Sequence, residues 1–169
     1  MYEIESVVMH ITNGICKIKD IQEKSFTQNI NQKYYVLQPV FETGTTLFVP
    51  IENNPARIRT LLTKEEINSM MQTLANQQDK PWINDDNQRL SHFKTVLKNG
   101  NQQEILSMLH TIYLKQIQKK QSGKKLRFTD ERVKNAAEKL VQQEFSYVLQ
   151  IPQEEVPDWI CSHITQNQL

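Results

Sequence analysis

The chain changes its hydrophobic period near residue 60, and this constrains the fold more than any other feature of its 169 residues. Before that point, short β-branched and aromatic runs are separated by turn signals. After it, apolar residues recur every three or four positions. Residues 6–11, 15–21, 33–41 (KYYVLQPVF) and 45–51 (TTLFVPI) read as strands. Asn13-Gly14 is a strong hairpin signal, and residues 42–44 form a second short link ending in glycine. Simple alternation over 15–21 puts Ile15, Lys17, Lys19 and Ile21 on one side and Cys16, Ile18 and Asp20 on the other, so neither face is purely apolar. Short strands joined by tight turns predict a small, strongly bent antiparallel barrel rather than a parallel sheet.

Thr63 followed by Glu66 spells a capping box, and Ile67, Met70, Met71 and Leu74 continue it at helical spacing. A second helix is expected over about residues 85–99, stopped by Asn99-Gly100, and a third over about 102–120, ended by 121–123. A fourth opens at Thr129-Asp130-Glu131-Arg132 and is broken by Pro152. A closing helix over 153–163 contains Pro157, which argues for a single turn or a kink. The expected class is α+β: a barrel over residues 1–60, then an all-α domain of four to five helices over 61–169.

Composition excludes several function classes. Glycine occurs only four times, and no phosphate loop, dinucleotide fingerprint or G-x-S-x-G is present. The four histidines are dispersed and there is no Cys-x-x-Cys, so no metal site, cofactor or catalytic residue is expected. Asp85-Asp86 complements a helix dipole more simply than it binds a cation. Glu3 and Glu5 interrupt the first apolar residues, and no run approaches the ~18 apolar residues of a membrane span. Cys16 and Cys161 therefore read as reduced thiols of a cytoplasmic protein.

The net charge is only +1, but it is unevenly spread. Residues 115–127 carry six basic side chains and no acidic one, whereas 141–169 carry four acidic residues and no Lys or Arg. The basic stripe, Lys115, Lys119, Lys120, Lys124, Lys125 and Arg127, suits either phosphate contacts or a solvated helix end. Trp82 is open to two readings, a hydrophobic staple or an exposed anchor at DNA or a partner; Trp159 reads as packing.

Tyr2-Glu3-Ile4, Val7-Val8-Met9 and Thr12-Asn13-Gly14-Ile15-Cys16-Lys17-Ile18, with Tyr34–Val40 and Leu47–Ile51 in register, resemble the CarD/CdnL family of bacterial transcription regulators. Leu62–Ile67, Trp82-Ile83, Leu97–Gly100, Gly123–Leu126, Thr129–Arg132, Ala137–Leu140 and Glu144-Phe145 extend the likeness, which points to the clostridial-type branch. The resemblance implies a Tudor-like (SH3-like) barrel that binds the β subunit of RNA polymerase. It also implies a helical domain that contacts promoter DNA at the upstream edge of the melted region and stabilises the open complex.

Carried over residue by residue, Lys24 takes the family's basic polymerase-contacting place after the second strand. Phe48 stands where a second basic residue precedes Val49-Pro50. Arg89 matches an arginine that follows a tryptophan wedge by three residues, but that wedge position is Asp86 here, with Trp82 one turn earlier. The expected polymerase contacts are Lys24, Phe48, Val49 and Pro50. The expected DNA contacts are Trp82, Arg89, Lys94, Lys98, Lys115, Lys119, Lys124 and Lys125. The free protein is expected to be a monomer with no membrane partner. The near-neutral charge and Asp86 favour an alternative, a protein-only polymerase adaptor that makes no DNA contact.

Overall fold

A computed structural model of the chain describes residues 1–26, 31–52 and 57–166. Among these residues, five antiparallel strands precede five α-helices, so the protein is α+β with a Tudor-like N-terminal part. The chain divides into two compact units, Met1–Leu61 and Leu62–Leu169.

In the first unit, β1 (Val7–His10), β2 (Gly14–Lys24), β3 (Gln32–Pro39), β4 (Leu47–Pro50) and β5 (Ile58–Arg59) pair in the order β4-β3-β2-β1-β5. The sequence reading missed β5, a two-residue strand that pairs Met9 with Arg59 and His10 with Ile58. Such a strand is too short to show a period. The mixed pattern of β2 has a local cause. Its register against β3 runs Ile18↔Leu37 and then Asp20↔Val36, leaving Lys19 as the extra residue of a bulge. The bulge reverses the parity of the strand, so that Cys16, Ile18 and Ile21 all reach one core with Val8, Tyr35, Leu37 and Val49.

The β1–β2 turn is held by a side chain as well as by its glycine. Gly14 sits at φ 74°, a conformation that costs other residues steric strain. Nδ1 of buried His10 accepts the amides of Thr12 at 3.2 Å and Asn13 at 3.1 Å. Both bonds require an unprotonated Nδ1.

In the second unit, α1 (Lys64–Asn76) begins with the expected capping box. Thr63 Oγ1 accepts the Glu66 amide at 3.1 Å, and Glu66 Oε2 accepts the Thr63 amide at 2.7 Å. Asp85 caps α2 (Asp86–Asn99) and Asn101 caps α3 (Gln102–Gln121). The 22-residue α4 (Phe128–Leu149) has no side-chain cap at Arg127. Its buried stripe, Val133, Ala137, Leu140, Val141 and Phe145, meets Ile105, Leu106, Leu109 and Ile112 of α3 and Ile67, Met71 and Leu74 of α1 in the helical core. Phe145 is fully buried with Trp159 edge-on at 6.0 Å, so Trp159 is a packing residue.

The chain's last described helix corrects an expectation. A 3-10 turn, Gln153–Glu155, leads into α5 (Val156–Gln166), which is neither a single turn nor interrupted at Pro157. Pro157 is its second residue, where the missing N–H would have had no intrahelical partner. Among the described residues no helix is long and apolar enough to cross a membrane.

Candidate functional site

Each unit carries one surface with concentrated chemistry. On the sheet, residues 34, 36, 48 and 50 alternate with the core positions 35, 37, 47 and 49. The Tyr34, Phe48 and Pro50 side chains therefore lie on the face opposite the core. Phe26 closes this patch, 5.0 Å from Tyr34 and 5.4 Å from Phe48 between ring centroids, and is itself exposed. Lys24 places its ammonium 4.4 Å from the Phe48 centroid. Strand β4 is an edge of the sheet, so the patch lies beside backbone available for strand pairing.

Three of the four residues expected at a polymerase interface thus share this face: Lys24, Phe48 and Pro50. Val49 does not, because its side chain is 2% exposed in the core; only its backbone is on the edge. Sequence reasoning missed Phe26 and Tyr34. Phe26 lies two positions after Lys24, a spacing that was the available signal.

In the helical unit, five segments converge on a cavity of about 360 Å³. The loop before α2 brings Trp82, the start of α2 brings Asp86 and Arg89, and the last turns of α3 bring Lys115 and Lys119. The α3–α4 turn and the first turn of α4 add Lys124, Arg127 and Asp130. Lys124 is placed by a Schellman motif: its amide donates to the Lys119 carbonyl at 2.8 Å, and that of Gly123 to Lys120 at 3.0 Å. The lining holds five cations and two carboxylates. This is a polar, anion-attracting cup.

Its wall is an ion-pair lattice. Arg89 Nε and Nη2 donate to Asp130 at 2.9 and 3.0 Å, Nη2 also donates to Asp86 at 2.7 Å, and Nη1 donates to the Ile83 and Asn84 carbonyls. Arg127 pairs with the other Asp86 oxygen. Burial opposes the charge on Arg89, but its hydrogen bonds to Asp130 and Asp86 outweigh that, and its pKa is raised. The Arg89 hydrogen bond, helped by the Arg127 charge, holds the Asp86 carboxyl below its ordinary value. Trp82, half-buried, rests edge-on against Phe93 at 6.0 Å, with the Arg89 guanidinium 4.6 Å and the Lys115 ammonium 5.7 Å from its ring centroid.

Of the residues expected to contact DNA, Trp82, Arg89, Lys115, Lys119 and Lys124 line this one cup. Arg89 does so as a buried brace, 3% exposed, and its donors are spent inside the protein. Lys125 is exposed on the adjoining turn. Lys94 and Lys98 are exposed on α2 and do not line the cup. Asp130 was missed, since an acidic residue at a helix start looks like ordinary dipole compensation.

Among the described residues no group of three His, Cys, Asp or Glu is placed to hold a metal ion. Neither cysteine is in a disulfide; Cys16 is buried and Cys161 exposed. Residues 2–62 match the family model of the CarD-like/TRCF RID domain, a span that coincides with the first unit to within one residue at each end. No curated protein matches the chain with significant similarity.

Proposed function

We propose that the chain acts in transcription by binding RNA polymerase through its first unit, which matches the CarD-like/TRCF RID domain over residues 2–62, that it docks the β subunit, and that its helical unit touches promoter DNA and stabilises the open complex. On this reading the protein is a cytoplasmic bacterial regulator without catalytic activity. The observation that carries the polymerase part is the family match over residues 2–62. The patch of Lys24, Phe48 and Pro50 beside edge strand β4 supplies a physical means: strand addition for affinity, with an aromatic–cationic face for selectivity. Because the Phe48 ring seats the Lys24 ammonium, the two act as one contact feature.

For DNA, the supporting observation is the cup, whose lysines come from one helix end and one fixed turn. Cations so grouped neutralise neighbouring phosphates and release counterions. A protein-only adaptor is the second reading, favoured by the internal commitment of Arg89 and by Asp86 at the family's tryptophan position. Pull-down of RNA polymerase β by the full-length chain tests the first part; no retention of β, or equal retention by Phe48→Ala, sinks it. Promoter footprints with and without the protein separate the two readings. Identical footprints at low and high salt would leave only the adaptor.

A further inference from the structure

Phe128 is 72% exposed, the most exposed of the described phenylalanines. It is the first residue of α4 and follows Lys124, Lys125 and Arg127. Leu126, 8% exposed, pins this segment to the core, so Arg127 and Phe128 project from a fixed base rather than a loose loop. One turn on, the Arg132 guanidinium lies 5.9 Å from the Phe128 centroid. Along the chain the ring thus has cations before and after it, together with the exposed carboxylate of Glu131 three positions on; the other two nearby carboxylates are held by arginines. Asp130 is bound by Arg89 and Asp86 by Arg89 and Arg127.

We propose that Phe128 is a stacking platform for an unpaired nucleobase, and that the helical unit consequently prefers single-stranded to duplex DNA. The inference rests on the reading that this unit meets DNA, and it adds the form of DNA it selects. An exposed aromatic ring beside Arg132 and directly after a basic stretch of sequence matches a polyanion with apolar bases: the cations follow the phosphates while the ring accepts a base face. A base in a duplex offers no such face until it is unstacked, which must be offset before the ring gains anything. An unpaired base offers it at once. The chemistry is sequence-tolerant, since every base presents a π-face.

The test uses the full-length protein with labelled oligonucleotides of one sequence, single-stranded and duplex, followed by anisotropy at fixed salt. The wild type should bind the single strand more tightly. Phe128→Ala should weaken single-strand binding by about tenfold and leave duplex affinity unchanged, while Phe128→Trp should retain the preference and show quenching of the added indole. Since the ring is solvent-exposed, both variants should melt like the wild type. Single-strand affinity unaltered in Phe128→Ala overturns the inference and leaves the ring to a protein partner. A Lys119→Gln/Lys124→Gln variant distinguishes the two failures. If it loses duplex binding while Phe128→Ala changes nothing, the inference falls and the DNA reading stands; if the wild type binds neither oligonucleotide, both fall.

Discussion

Asp130 clasps Arg89 side-on, Oδ1 at 2.9 Å from Nε and Oδ2 at 3.0 Å from Nη2, with both side chains almost wholly withdrawn from solvent. The pair ties the start of α4 to the start of α2. Through Asp86 it also fixes the position of Arg127 at the rim of the cup.

Removing one partner is therefore expected to do more than loosen a surface. Arg89→Ala leaves Asp130 buried without its counter-charge, and such losses run to about 3–5 kcal/mol. Arg89→Lys should recover only part of this, because an ammonium cannot make the two parallel bonds of a guanidinium. Denaturant unfolding followed by tryptophan fluorescence reads both variants. Stability equal to wild type in Arg89→Ala would show that the pair is not a brace.

A second prediction concerns Gly123, at φ 68° in the turn that delivers Lys124. A Cβ there meets nothing within 4 Å, so any penalty is conformational rather than steric against neighbours. Gly123→Ala should cost about 1 kcal/mol, and Gly123→Asn less, since asparagine tolerates the left-handed region better. Thermal unfolding should place the wild type highest, Gly123→Asn next and Gly123→Ala lowest.

The change of period at residue 60, the capping box at Thr63 and the stripes of α3 and α4 were legible because each depends on local spacing. The bulge at Lys19 was not, since it can be recognised only against the partner strand; it explains why the β2 pattern read as mixed. The cup shows the same division. Lys115, Lys119 and Lys124 were visible as a charge run. Arg89, by contrast, carries a charge whose use depends on Asp130, forty-one positions away. Val49 and Phe48, adjacent in sequence, part company because alternation sends one into the core and the other to the outer face.

His10 makes the first unit sensitive to mild acid. Burial, with the nearby Arg57 charge, lowers its folded pKa below the ordinary 6.5. Between the lowered folded value and the unfolded value, the unfolded chain binds the extra proton. Stability contributed by neutral His10 is therefore complete above about pH 6.5 and is lost as pH falls through the folded pKa. Protonation also removes the acceptor for the Thr12 and Asn13 amides. Amide-exchange protection of β1 and β2 should fall between pH 7 and 5, and His10→Asn should flatten that dependence. An imidazole titrating by NMR at or above 6.5 would contradict it.

The last prediction separates the cup lysines from the α2 lysines by salt dependence. Lys119 and Lys124 line the cup, whereas Lys94 and Lys98 are exposed on α2 outside it. If the cup meets duplex phosphates, each lost contact should lower the slope of log affinity against log salt by about 0.9. Lys119→Gln/Lys124→Gln should then flatten the slope by about two and weaken binding at low salt most. Lys94→Gln/Lys98→Gln removes the same formal charge from the same unit, so any change it causes reports only the general field of the protein. Titrations at four or five salt concentrations decide between them. Equal slopes for the two double variants would mean that net charge, not the arrangement of the cup, governs the affinity.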